Sequence, residues 1–261
     1  MMLKKIALLV GIVSLTSSLF SQEIEEKTYW YTSNDSKGYI SIQKINTKKE
    51  SLVSTTLKTT VHSLFDDDLL SFRLSTINDS EKMVAPSKLI FEGTIDSNMK
   101  PVTFVGRRLK TNEEASYWNF EGDFKAEATT DPELIPFFPS KHNSQIRIPN
   151  RTIPSFNLWA IIPNLPFDRN GTFKFNTLDE TKLYVHKNQT INYLGKHKTY
   201  INGETEELHK FVHQGKGMLP AYYWVNENKE LVQVMLDNKF TFKLSTKEAA
   251  LRSAALLTIK D

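Results

Sequence analysis

Glu230-Leu-Val-Gln-Val-Met-Leu-Asp-Asn-Lys-Phe-Thr-Phe-Lys-Leu244 is the stretch whose reading decides the fold. The tight turn Leu236-Asp-Asn-Lys239 leaves no room for a crossover, so the runs on either side of it must be antiparallel neighbours. Beyond the turn, Phe240, Phe242 and Leu244 alternate with Thr241 and Lys243, the period of a half-buried strand. The same alternation recurs at Leu70/Phe72/Leu74 and Phe173/Phe175, and short polar turns at Ile95–Pro101 and Val225–Glu230 punctuate other runs. Opposite each apolar face lie Ser, Arg, Lys and Thr, which describes a sheet wetted on one side and covered on the other.

Outward from that hairpin, the pattern predicts strands over Thr28–Thr32, Gly38–Ile45, Leu52–Val61, Leu69–Thr76, Lys88–Ile95, Val102–Leu109 and Ser116–Phe124. A second series is predicted over Thr172–Asn176, Lys182–His186, Thr190–Tyr193, Lys198–Ile201, Leu208–His213, Ala221–Asn226, Glu230–Asp237 and Lys239–Leu244. Between them lies a different texture. Seven of the ten prolines fall between 132 and 166, and no glycine occurs from 123 to 170. Proline excludes this stretch from a central strand. Its Ile135, Phe137, Phe138, Phe156, Leu158, Trp159, Ile161, Ile162 and Phe167 are too apolar for an ordinary linker. It is expected to cross the open face of the sheet, with a short helix near Ser155–Ile162 opened by Pro154. At the C-terminus, Ser245-Thr-Lys-Glu248 reads as a capping box ahead of an Ala/Leu helix, whose Leu251 and Ala255 are expected to close one end of the sheet.

The fold class that follows is all-β: a curved antiparallel sheet, half-barrel or β-clam, with a short crossover helix and a C-terminal helix. The organisation is a signal peptide over 1–21, a β half over 22–131, a Pro/aromatic-rich crossover over 132–170, and a second β half with the terminal helix over 171–261. Everything from 22 onward reads as one continuous domain.

The first residues carry Lys4 and Lys5, a short apolar run Ile6–Val13, and small residues up to Ser21. This is the pattern of a secretory signal peptide, with cleavage expected after Ser21; a retained anchor is the alternative, disfavoured by the shortness of the run. The chain has no cysteine, so a lipoprotein anchor, thiol catalysis, disulfides and thiolate metal sites are all excluded. The expected location is periplasmic or secreted, in a bacterial envelope, with no membrane-spanning segment. The formal net charge of +3 belongs largely to the leader, because residues 22–261 carry 31 basic against 30 acidic side chains. No basic face is left to recruit nucleic acid. Asn34, Asn78, Asn150, Asn170 and Asn188 each begin an Asn-x-Ser/Thr triplet and are read as turn composition.

From about Thr152 to Leu244, a short apolar helix leads into Leu165-Pro166-Phe167, a turn at Asn170-Gly171 opens a run of strands, and Tyr223-Trp224-Val225-Asn226 precedes the last ones. This order resembles an uncharacterised family of secreted bacterial β-rich proteins. The resemblance covers roughly the last 90 residues and implies a curved sheet similar to the half-barrels of lipoprotein-localisation carriers. It implies no catalytic residue.

Reactive constellations are few. His209 and His213 on a strand stand about 13 Å apart, too far for one metal ion. Asp168-Arg-Asn-Gly171 lacks the later ligands of a calcium loop. No nucleophile elbow or phosphate-cradling glycine loop occurs. Neither a catalytic residue, a metal site nor a cofactor is assigned. The surplus is aromatic: 16 Phe, 9 Tyr and 4 Trp. Tyr29-Trp30-Tyr31, Tyr117-Trp118-Asn119-Phe120 and Tyr222-Tyr223-Trp224 place neighbouring rings on opposite faces of their strands. Trp30, Trp118, Phe138, Phe156, Trp159, Tyr222 and Trp224 are therefore the candidate ligand-binding residues, suited to a lipid or another amphiphilic small molecule. The plainer alternative is that the crossover and terminal helix simply cover these rings. Two other classes stay open: a glycan-active or glycan-binding protein using acids such as Glu92, Glu121 or Asp123, and an interaction module docking on an envelope protein partner.

Overall fold

The computed structural model describes residues 23–33, 37–49, 52–65, 68–80, 83–94, 101–122, 143–167, 171–181, 183–201, 203–216 and 218–257. The first series of strands is β1 (Glu23–Ser33), β2 (Gly38–Lys49), β3 (Leu52–Phe65), β4 (Asp68–Asn78), β5 (Pro86–Thr94), β6 (Val102–Thr111), β7 (Ala115–Gly122) and β8 (Asn143–Pro149). After β9 (Thr152–Pro154) comes a helical segment in three pieces. Two 3₁₀ turns, Ser155–Asn157 and Ile162–Asn164, flank α1 (Leu158–Ile161). The second series is β10 (Thr172–Asp179), β11 (Tyr184–Ile201), β12 (Glu204–Gln214), β13 (Ala221–Val225), β14 (Leu231–Leu236) and β15 (Phe240–Ser245), closed by α2 (Lys247–Ala255).

All fifteen strands belong to one sheet, in the order β8-β7-β6-β5-β4-β3-β2-β1-β15-β14-β13-β12-β11-β10-β9. The two halves of the chain are therefore two meanders joined by the antiparallel pairing of β1 with β15, Trp30 opposite Ser245 and Ser33 opposite Phe242. Among the described strands, only β9 runs parallel to its neighbour, β10. The edge strands β8 and β9 are consecutive in the chain, separated by Asn150 and Arg151 alone. The sheet thus curls into a nearly closed barrel.

The proline-rich segment does contain strands, β8 and β9, which the sequence reading omits. Pro149 and Pro154 stand at the ends of the two edge strands, where no ladder partner needs their missing N–H. The three short strands expected between 182 and 201 are one strand, β11. Its pairing with β10 slips between His186 and Gln189 and its pairing with β12 between Tyr193 and Gly195, and these two breaks in alternation are what divide the pattern. The terminal helix is capped by Thr246, whose hydroxyl accepts the Ala249 N–H at 3.2 Å. It buries Ala250 rather than Leu251, which stays 47% exposed. The helix packs on β1 and β2, where the Gly38 N–H donates to Ser253 Oγ at 3.0 Å.

The barrel interior is closely packed. Phe72, Phe91, Phe104, Phe120 and Trp118 form an aromatic ladder across β4–β7. Ring centroids are 5.0 Å apart for Phe72–Phe91 and Phe91–Phe104, and 6.0 Å for Phe120–Trp118. Each such pair is worth about 0.5–1.5 kcal/mol beyond its area burial. Gly106 makes room for the ladder: a Cβ there would stand 2.5 Å from the Phe120 ring. The helical segment enters as a plug. Trp159 meets Tyr31 edge-on at 5.0 Å and Phe242 at 6.0 Å, while Phe156 meets Phe72 at 5.6 Å, so the plug touches both meanders.

Two buried polar anchors fix the plug. Asn157, 1% exposed, donates from Nδ2 to the Met83 carbonyl at 3.0 Å and accepts from Thr76 Oγ1 at 2.9 Å. Glu180 accepts the Phe156 N–H at 3.2 Å, and Ser155 Oγ donates to the Leu178 carbonyl at 2.8 Å. Burial raises the Glu180 carboxyl well above its ordinary value of 4.5, against the opposing backbone hydrogen bonds from its own N–H, Phe156 and Ser155.

Candidate functional site

The curled sheet meets itself at a corner made by Asn150 and Arg151, and two of the pockets in the described surface lie along that seam. Asn112 forms the β6–β7 turn, its side chain accepting the N–H groups of Glu114 and Ala115 at 3.0 and 2.8 Å. Asn150 then binds this turn twice: its N–H donates to the Glu114 carbonyl at 2.9 Å, and its Nδ2 to the Asn112 carbonyl at 2.8 Å. On the other side, Asn176 of β10 donates from Nδ2 to the Asn150 carbonyl at 3.2 Å and from its N–H to the Arg151 carbonyl at 2.9 Å. Asn176 Oδ1 accepts the Asn188 N–H at 3.1 Å. Three asparagines, 112, 150 and 176, thereby clasp the two ends of one sheet.

Two pockets share the Asn150–Arg151 corner. The first, about 270 Å³, is walled by Trp118, Ile148, Leu178, Pro154 and Val84. Arg108 stands among the polar groups lining it and is already engaged, donating to the Ala85 carbonyl at 3.1 Å and to Asp79 at 3.0 Å. The second, about 290 Å³, is polar, lined by Arg151, Lys174, Asn176, Asn188 and Thr190 beside Phe175 and Gln189. Among the described residues, no acidic side chain lines it. Arg151 and Asn188 both have positive φ, 59° and 55°. Asparagine tolerates this conformation, but arginine is strained by it at a cost of order 1–2 kcal/mol.

The structure distributes the sequence-derived residues over both faces of the sheet. Trp118 faces inward and forms a wall of the apolar seam cavity. Trp159 is 4% exposed within the core, and its edge contributes to a small cleft of about 90 Å³ with Tyr29, Ile42, Lys44, Pro163 and Lys229. Phe156 packs between Phe72 and Trp159. Trp30 points to the outer face, 5.2 Å from Tyr39. Tyr222 and Trp224 are also on the outer face. There, Trp224 forms a second apolar cluster with Ile201, Leu208 and Val232, and Lys210 Nζ lies 4.6 and 5.0 Å from the two ring centroids. Phe138 lies outside the described residues. These aromatics do not converge on one open concave cavity, because the plug fills the middle of the barrel.

The acids of the glycan reading do not converge with the aromatics. Glu92 and Glu121 are exposed on the strand positions alternate to the inward Phe91 and Phe120, so they face away from Trp118. Asp123 lies outside the described residues. His209 and His213 sit on one strand, both buried and four residues apart. His209 Nδ1 is 2.8 Å from the Tyr193 hydroxyl, its Nε2 is 3.4 Å from Glu227, and the Phe167 ring stacks on it at 3.9 Å. His213 lies against Phe175, and burial, with His186 nearby, pulls it down to about 4. Among the described residues, no three His, Asp or Glu side chains gather as metal ligands would.

The groups that organise the seam, Asn112, Asn150, Arg151, Lys174 and Asn176, carry no motif in the sequence. Asn150 and Asn188 appear there only as triplet-forming turn residues, and the proline on either side of Asn150-Arg151 is the one local hint of an edge. Family models, curated proteins and solved structures provide no match to the chain.

Proposed function

We propose that this chain is a secreted, envelope-located protein that binds or carries an apolar or amphiphilic small molecule without chemical turnover. The observation that carries the reading is the seam cavity, an apolar space beside Trp118, Ile148 and Leu178. It lies next to the plug rather than in the middle of the barrel, which the plug occupies. Sites of this kind, apolar with a few fixed polar groups at the rim, are the usual form of small-molecule pockets. Support also comes from the sheet's own construction: at the seam the barrel is closed by asparagine side chains and a corner instead of a full strand ladder. Among the described residues, no helix is long and apolar enough to cross a membrane.

The test uses N-phenyl-1-naphthylamine, a fluorescent apolar probe. The wild-type protein is expected to give a saturable rise in fluorescence that Ile148→Trp abolishes by filling the cavity. Val84→Trp, at a position already 37% exposed, blocks the rim without disturbing the core and is expected to do the same. Absence of saturable binding, or equal binding by both filled variants, removes the proposal. N-terminal sequencing of protein recovered outside the cytoplasm checks the location, with Gln22 expected as the first residue.

A further inference from the structure

Resting on that reading, we propose that the polar pocket across the corner is an anion site, and that it holds the charged end of the ligand whose apolar body lies against Trp118. Four observations point the same way. The two pockets have Asn150 and Arg151 in common, so a ligand leaving the apolar cavity at the corner meets the polar pocket next. The polar pocket presents two cations, Arg151 and Lys174, both exposed, and among the described residues no carboxylate lines it to neutralise them. The side-chain amide of Asn188 supplies a further donor beside the cations, while the Thr190 hydroxyl donates to the Gln214 carbonyl at 3.4 Å. Finally, a strained backbone at Arg151 is held in place by the Asn176 N–H on its carbonyl, which fixes where the guanidinium stem leaves the corner.

The chemistry this arrangement recognises is a compact oxyanion, a phosphate monoester or a carboxylate. Guanidinium and ammonium groups bind such oxygens by charge-assisted hydrogen bonds, roughly twice as strong as neutral ones. The ligand class narrows from any amphiphile to an anionic one, with one head group and an apolar body that fits about 270 Å³ of cavity. The neighbouring amides suit this role because Asn112, Asn150 and Asn176 already spend their hydrogen bonds on the clasp. The corner is therefore a stiff support for Arg151, not a competitor for the anion.

Calorimetric titration of the whole protein with octyl phosphate, 1-octanol and inorganic phosphate tests the proposal. Octyl phosphate is expected to bind about tenfold or more tightly than octanol, the scale of one added charge-assisted contact. Lys174→Glu, at a position that lines the polar pocket and not the apolar one, is expected to bring octyl phosphate down to the octanol level while leaving octanol unchanged, and Arg151→Asn, compatible with positive φ, is expected to weaken octyl phosphate more than octanol. Ile148→Trp is expected to weaken both alkyl ligands. Equal binding of octyl phosphate and octanol by the wild type overturns the anion site and leaves the apolar reading standing. Inorganic phosphate binding as tightly as octyl phosphate overturns the head-group assignment, since the alkyl chain would then add nothing. Failure of both alkyl ligands to bind overturns the apolar reading itself.

Discussion

Replacing Asn157 tests whether the plug is held by its polar anchors or only by its aromatic rings. Asn157 and Thr76 are each 1% exposed, and the asparagine satisfies both the Thr76 hydroxyl and the Met83 carbonyl. Asn157→Ala removes two hydrogen bonds and strands both partners in the core. An unpaired buried donor or acceptor costs about 1–3 kcal/mol, so the variant is expected to lose about 3–5 kcal/mol. That is a large part of the 5–15 kcal/mol typical of a whole domain. Asn157→Leu separates polarity from volume: it refills the space yet leaves the same two groups unpaired. Thr76→Val combined with Asn157→Leu removes one of the two stranded partners. It is therefore expected to cost about 1–2 kcal/mol less than the sum of the single changes. Urea unfolding followed by tryptophan fluorescence reads these values, because Trp159 rides on the plug. A loss under about 1 kcal/mol for Asn157→Ala, or strict additivity with Thr76→Val, refutes the anchoring argument.

Four further outcomes are expected. Glu180 titrates at 4.5 when unfolded and well above that when folded, so its contribution is complete below pH 4.5 and declines as pH rises toward the raised value. Glu180→Gln should therefore flatten the melting temperature across that window and raise it at neutral pH. His213 has the opposite sign, titrating at 6.5 unfolded and about 4 folded. Its stabilisation, up to about 3 kcal/mol, is whole above pH 6.5 and is lost as pH falls toward 4, and His213→Phe should remove that acid sensitivity in the same melting series. Gly106→Ala forces a methyl group against the Phe120 ring and should cost about 1–3 kcal/mol by urea unfolding, with a changed near-ultraviolet dichroism from the displaced ladder. Thr246→Ala removes the cap of α2 and should cost about 1 kcal/mol, seen as faster amide exchange over Lys247–Ala250.

The strands were legible because their alternation is local. Phe240, Phe242 and Leu244 announce one apolar face without knowledge of any partner, and the turn at Asp237-Asn238 fixes the neighbour. The plug helix was legible for a similar reason, through Pro154 and the apolar run that follows it. Strands β8 and β9 were not, since proline argues against strand everywhere except at an edge, and nothing local says where a sheet ends. The site was less legible than the fold. Trp118 announces itself by size, but a wall of the cavity comes from Leu178, whose partnership with Trp118 exists only once the two meanders have curled together. The asparagine clasp is invisible for the same reason: Asn112, Asn150 and Asn176 look like turn residues, and their roles depend on contacts across 26 to 38 positions of chain. Trp224 shows the converse. Its size suggests a binding residue, and the structure sets it in an apolar cluster with Ile201, Leu208 and Val232, away from the seam.

The pairing of β1 with β15 also sets the order of events during synthesis. Most neighbours within each meander are joined by local hairpins, whereas the join between the meanders brings together Trp30 and Ser245, residues at nearly opposite ends of the chain. Until Phe240–Ser245 has emerged, β1 presents an unpaired edge. That waiting edge begins Glu23-Ile-Glu-Glu-Lys27, a density of charge that discourages stray strands from adding to it. The last strand made thus covers Trp30–Ser33 of the oldest edge, and a chain truncated before β15 leaves that segment, beyond the charged stretch, open to self-association.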